Sequence, residues 1–309
     1  MPPTQTAVRP AYRPYAAEVA RVARLSPHFV RVTFTGADLE HFGTARLDQR
    51  IKVVLPHADG TFSDFGQDEA AGDWYDRWRA LPHAERNAFR TYTVRRIEPE
   101  ARELDVDFVT HHEAGPAGAW AEQAAPGQRL FIVGPDARSP HSAGGLDWHP
   151  GTARRVVLAG DETAAPAITA ILELLSADFD VDAFIEVPTA ADALDVRLGA
   201  DTRLTWLPRE DRPHGSLLIE AVAGWADASA DVLARAAAPR RQEVADIDVD
   251  VELLWDSPEA ADGEFYAWIA GEAATVKTLR RMLVSERGVD RKRVAFMGYW
   301  RLGQAERTQ

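Results

Sequence analysis

Cysteine is absent from all 309 residues, so disulfides, thiolate metal sites and cysteine-ligated iron–sulfur clusters are excluded. No run approaches the roughly 20 apolar residues that span a bilayer, and residues 1–13 hold Pro and Arg without an apolar signal core. The expectation is a cytoplasmic protein without membrane insertion. Positive charge is also scarce: the net charge of −13 leaves no basic face to neutralise phosphates, so no nucleic-acid partner is expected. Internal repeats, a G-x-G-x-x-G fingerprint, a Ser–His–Asp set and paired acid–base carboxylates are all missing, and no catalytic residue is nominated. The nine histidines are scattered. Their one adjacent pair, His111-His112, would point to opposite faces of a strand, so no metal site is expected.

What is present suits two domains, since 46% hydrophobic residues can fill real cores. Short apolar runs at 15–23, 29–34, 51–55, 89–97, 104–110 and 128–133 predict about six strands without long intervening helices. That spacing favours an antiparallel barrel. A turn at Asp59-Gly60 and an excursion over 62–87, with Trp74, Trp78 and Pro82, interrupt it. The segment 135–152, with Pro140, Gly144-Gly145 and Pro150, reads as a linker. Beyond it the pattern becomes strand–helix alternation: strands 155–159, 182–187, 203–207, 264–270 and 293–296, and helices 164–176, 217–225, 228–238 and 273–286. This predicts a parallel, Rossmann-like second domain. Residues 240–263 read as an acidic insertion in which Val249, Val251 and Leu253 could form a short strand. The expected domains are 12–145 and 152–309.

Chemistry concentrates at Arg90-Thr91-Tyr92-Thr93. Strand alternation puts Arg90 and Tyr92 on one face. A guanidinium for a phosphate, an aromatic plane for a flat ring and a neighbouring hydroxyl suit FAD or FMN. After the strand 104–110, Gly115-Pro116-Ala117-Gly118 opens a helix whose first-turn N–H groups suit a pyrophosphate.

Taken in order, Arg90-Thr91-Tyr92-Thr93-Val94-Arg95, the run from His111 to Trp120, Gly160-Asp161-Glu162-Thr163, the run from Trp268 to Glu272 and Gly298-Tyr299-Trp300 resemble the siderophore-interacting protein family. Those are FAD-dependent ferric-siderophore reductases of the ferredoxin-reductase superfamily, and the resemblance spans residues 12–306. It implies a β + α/β fold: an N-terminal antiparallel FAD-binding barrel, then a Rossmann-like NAD(P)H-binding domain with the C-terminal segment. It also implies a cytoplasmic monomer taking electrons from NADPH or NADH through FAD to a ferric siderophore. The alternatives are a flavin reductase serving another small or protein acceptor, and a non-catalytic siderophore-binding accessory.

The resemblance assigns FAD contacts to Arg90, Tyr92, Thr93, Gly115, Ala117 and His111, and adenine-side contacts to Asp161 and Thr163. Read from the residues alone, the acidic turn Gly160-Asp161-Glu162-Thr163 serves equally as a helix start, with Thr163 as N-cap. Gly271 and Glu272 would sit at the sheet edge where nicotinamide approaches, although Glu272 equally suits a first-turn partner of the helix dipole. Arg209, with Arg212, would take an NADPH 2′-phosphate. Substrate contacts fall to Lys52, Arg281 and Arg301, a local basic pocket for an anionic chelate. Alternation with Ile51 and Val53 inward would turn Lys52 outward.

Overall fold

The computed structural model describes residues 9–67, 72–110, 115–199, 201–249, 251–259 and 261–303. His111 lies outside the described residues. The chain divides into two compact units, 1–24 with 29–146, and 25–28 with 147–309.

The first unit is a seven-stranded antiparallel sheet of β1 (Tyr12–Arg24), β2 (Phe29–Thr35), β3 (Arg50–Val54), β4 (Phe89–Thr93), β5 (Arg96–Glu98), β6 (Glu103–Val109) and β7 (Arg129–Pro135). Its order is β4-β3-β7-β1-β2-β6-β5. The two edge strands, β4 and β5, are consecutive in the chain and separated only by Val94 and Arg95, so the sheet must curl until its edges meet. Val94 N donates to Gln49 O (2.9 Å) on the β3 side, and Arg95 N donates to Asp105 O (3.0 Å) on β6. The sequence run 89–97 is therefore a strand bent at its middle, one half on each edge of the barrel.

Alternating apolar residues fill the interior with Tyr15, Val32, Phe34, Ile51, Val53, Val106, Phe108 and Ile132. Helix α2 (Pro116–Glu122) adds Ala117 and Ala121 to that core. On the outer face, α1 (Trp74–Ala80) packs Trp78 against Val54, Phe89 and Val133. The 62–87 excursion thus supplies a second small core.

The second unit holds β8 (Arg155–Gly160), β9 (Asp180–Val187), β10 (Thr202–Pro208), β11 (Trp255–Asp256), β12 (Phe265–Glu272) and β13 (Val294–Trp300). Their order is β10-β9-β8-β12-β13-β11, parallel except for β11. Helices α3 (Ala165–Leu174), α4 (Ser216–Ala228), α5 (Ala230–Arg235) and α6 (Ala273–Arg280) connect them, and α6 continues as a π-helix over Arg281–Glu286. Every residue of β12 is buried, as expected of a central strand covered on both faces. Chain order reverses between β8 and β12, which is the crevice where open α/β sheets take ligands.

The 240–263 segment departs from expectation. Val251 and Leu253 are exposed, and the short strand is instead Trp255–Asp256, antiparallel to β13. The bond from Arg280 Nη2 to Asp256 Oδ2 (3.1 Å) ties this segment to α6.

Candidate functional site

In the first unit, β3–β4 pairing fixes which side chains share a face. Tyr92 lies opposite Ile51 and Arg90 opposite Val53, whereas Lys52 lies opposite Thr91. Arg90 and Tyr92 are half-buried on the face continuous with the barrel core. Tyr92 packs on Phe108 at 4.4 Å between ring centroids, Phe108 packs on Trp120 at 5.7 Å, and Trp120 stacks on Phe34 at 6.2 Å. This aromatic chain joins β4, β6, α2 and β2, and holds the start of α2 against the strand that carries Arg90. Arg90 Nη1 donates to Phe89 O (2.7 Å).

Gly115 is exposed as the N-cap of α2, with Pro116 in the first turn, and a Cβ built on it would meet nothing within 4 Å. Ala117 packs in the barrel core. Thr93 is buried at the end of β4, paired with Arg50. A half-exposed guanidinium and phenol ring on one face, beside a glycine that blocks nothing, fit an FAD: phosphate at the cation, ring system at the aromatic.

Lys52 occupies the opposite face of the same ladder. Its Nζ donates to Thr91 Oγ1 (2.6 Å) and lies 5.4 Å from the Phe89 ring centroid. The outward turn expected from alternation is observed, but the ammonium is half-buried and held, not loose in solvent.

At the carboxyl edge of the second unit, acidic residues end three strands, and the structure occupies them internally. Asp161 is 1% exposed. Its Oδ1 accepts from Thr163 N (2.9 Å) and Thr163 Oγ1 (2.5 Å), and its Oδ2 from Glu272 N (2.7 Å) and Trp300 Nε1 (2.8 Å). One carboxylate thereby pins the ends of β8, β12 and β13. Gly271 belongs to the same knot: with φ at 142°, a Cβ there would lie 2.6 Å from Asp161 Oδ2. The carboxylate oxygens of Asp161, the candidate on the adenine side, are thus engaged within the unit. Thr163 is spent on Asp161 as well and is not the helix cap, a position held by Ala164. Glu272 caps α6 by accepting from Thr275 N (3.0 Å), so its side chain serves the helix start.

Arg209, the candidate for a 2′-phosphate, is engaged within the unit. Its guanidinium forms a two-pronged pair with Glu162 (2.8 and 2.7 Å), with side chains 13% and 0% exposed. Burial of Glu162 pushes its carboxyl up, but the nearby His214 and the paired Arg209 overcome this and hold it at about 2. Asp161 moves the other way, raised by burial and then by the neighbouring Glu162 charge. His214 was not singled out from the sequence. Its Nε2 is 3.5 Å from Glu162 and 3.8 Å from Asp161, and its ring meets Trp300 edge-on at 5.0 Å. Burial lowers the His214 pKa, but the two carboxylates outweigh it and leave the ring more basic than usual.

Asp161, Glu162 and His214 converge within 4.8 Å, close enough to suggest a cation site. All four carboxylate oxygens already accept N–H or O–H donors, however, and Arg209 supplies a fixed positive charge. The trio is an internal ion cluster. A residue missed with His214 is Glu186, at the end of β9, whose carboxylate accepts from Gly215 N (2.7 Å) and Leu218 N (3.0 Å) at the start of α4. Acidic residues recurring at strand ends were the available signal.

Of the basic substrate candidates here, Arg281 has a side chain 70% exposed and pairs with Glu286 at 3.1 Å. Arg301 donates to Glu252 O.

An antiparallel barrel followed by a mostly parallel α/β unit defines the ferredoxin-reductase class of fold. Ferredoxin NADP+ reductase from Neisseria gonorrhoeae, at 12% identity, shares that fold alone (TM-score 0.57, covering 93% of this chain and 99% of that one). The chain belongs to the siderophore-interacting protein family: the family's FAD-binding domain matches residues 18–139, and the siderophore-interacting protein domain matches 153–303. An uncharacterized protein of Mycobacterium tuberculosis is 34% identical over 94% of this chain and 92% of its own length. The ferric vibriobactin reductase ViuB of Vibrio cholerae is 28% identical over 95% and 91%. A siderophore utilization protein from T. fusca superposes with a TM-score of 0.68 at 29% identity, covering 96% of both chains. No helix among the described residues is long and apolar enough to cross a membrane.

Proposed function

We propose that this chain is an NAD(P)H-dependent, FAD-containing ferric-siderophore reductase that frees iron in the cytoplasm. The observation that carries the reading is the shared face of Arg90 and Tyr92 on β4, within the segment that matches the family's FAD-binding domain. FAD, when bound, supplies the chemistry: it takes a hydride from a nicotinamide and passes electrons on singly, so one NAD(P)H reduces two iron(III) to two iron(II). Iron(II) binds hard oxygen ligands less tightly, and the chelate lets it go.

The chain's own task is to bind and orient. Arg90 offers a charge-assisted bond to a phosphate, Tyr92 an aromatic plane, Thr93 its main chain beside the ring edge, and Gly115 room for close approach. Lys52, held on the opposite face by Thr91, supplies positive charge toward an anionic chelate in a protein whose net charge is −13. The absence of a nominated acid or base is consistent with electron transfer as the reaction. A 28% identical ferric vibriobactin reductase supports the substrate class.

The test is anaerobic turnover of the FAD-loaded protein, with iron(II) trapped by a colorimetric chelator. The expected outcome is steady NAD(P)H consumption that depends on ferric chelate. Flavin reduction without chelate-dependent turnover would point to another acceptor. A protein that stays colourless after FAD addition would end the reading.

A further inference from the structure

We infer that the second unit selects NADH over NADPH, because both places on the β9–β10 half of its carboxyl edge that would hold a 2′-phosphate are filled by the chain's own carboxylates. This rests on the reading of the second unit as the nicotinamide-nucleotide domain.

In open α/β sheets the adenosine ribose lies beyond the carboxyl ends of the strands flanking the reversal of chain order, and an NADPH-selective site supplies an arginine there for the extra phosphate. Two features of this edge have the chemistry to bind an anion. One is the Arg209 guanidinium, directly after β10. It is turned inward, with both prongs on the buried Glu162 and Glu186 at 3.9 Å. The other is the first turn of α4, a thirteen-residue helix. Its Gly215 and Leu218 N–H groups already donate to the buried Glu186 carboxylate.

What remains on the surface does not reverse the balance. Arg212 pairs with Glu220 at 3.1 Å, both exposed, and Glu210 and Asp211 add two more carboxylates in the same turn. Five carboxylates (Glu162, Glu186, Glu210, Asp211, Glu220) face two arginines and His214, so the edge stays negative even with the imidazole protonated. A phosphate monoester approaching it meets repulsion, and both arginines of this turn, Arg209 and Arg212, are already paired. A ribose 2′-hydroxyl carries no charge and can donate to the exposed carboxylates of Glu210 or Asp211.

The test has a binding arm and a kinetic arm. Calorimetry compares adenosine 2′,5′-bisphosphate with adenosine 5′-monophosphate and needs no flavin. The bisphosphate is expected to bind no more tightly, and a tenfold preference for it would overturn the inference. In anaerobic flavin reduction, NADH is expected to exceed NADPH in kcat/KM by at least about tenfold. A preference for NADPH overturns the inference and leaves the proposed function standing, whereas failure of both nucleotides removes the donor reading and the inference with it. Asp211→Arg combined with Glu220→Gln alters only exposed side chains. It should raise kcat/KM for NADPH about fivefold to tenfold and lower that for NADH, whose ribose loses the Asp211 acceptor. No gain with NADPH would overturn the assignment to this turn.

Discussion

The β4 face of the first unit and the carboxyl edge of the second both gather arginines, acids and aromatics, yet they use them oppositely. On β4 the cation and ring are half-buried, Arg90 donating to Phe89 O of its own strand and Tyr92 packing on Phe108. At the carboxyl edge every strand-end acid is consumed by a backbone N–H, an indole or a guanidinium of the same unit. The first arrangement is the one we propose gives its interaction capacity to a ligand. The second spends it on holding β8, β12, β13 and α4 in register. A charged residue at a favourable topological position is therefore not a binding residue until its partners are counted.

The largest expected effect tests the spent side. Arg209→Ala strands the buried Glu162 charge and should cost about 3–5 kcal/mol of stability in urea unfolding, whereas Arg90→Ala should leave stability within about 1 kcal/mol and weaken FAD binding instead. Equal stability losses for the two would erase the contrast. Tyr92→Ala should weaken FAD binding by about 1–3 kcal/mol through lost apolar burial and stacking, read by fluorescence titration with FAD.

The third effect is pH-dependent. Because the folded His214 is more basic than its ordinary value of 6.5, its contribution is complete below pH 6.5 and fades as pH rises through the folded value. The slope is at most about 1.4 kcal/mol per pH unit for one proton, and His214→Gln should remove it from a stability-versus-pH series. Glu162 behaves with the opposite sign: its contribution holds above 4.5 and is lost as pH falls toward about 2. The smallest effect belongs to Arg281→Ala, an exposed pair partner, which should shift stability by less than about 0.5 kcal/mol and leave KM for a ferric chelate unchanged.

Much of the architecture was legible because it rests on periodicity. The runs 29–34, 104–110 and 155–159 emerged as strands within a residue or two, and the helix expected over 273–286 emerged as α6 with its π-helical continuation. The bend at Val94-Arg95 was not legible, since β-favouring residues run straight through it and only the closing of a barrel imposes the break. That Arg90 and Tyr92 share a face could be read from alternation because it depends on neighbours within one strand. The carboxyl edge could not: Asp161 meets Glu272 and Trp300, more than a hundred positions away, and Glu186 meets α4 across the sheet. His214 gave no local signal at all, because its partners are fixed entirely by topology.

The bent strand has a further consequence. Residues 89–98 carry the Arg90–Tyr92 face and also form the seam along which the barrel shuts, one half on β3 and the other on β6. A ligand gripping that face grips the seam, so occupancy and barrel integrity rise and fall together. At a free ligand concentration a hundredfold above Kd, the linkage adds about 2.7 kcal/mol to stability. The chain's survival against proteolysis would then follow the supply of its flavin, and newly made protein would be at its most vulnerable before loading.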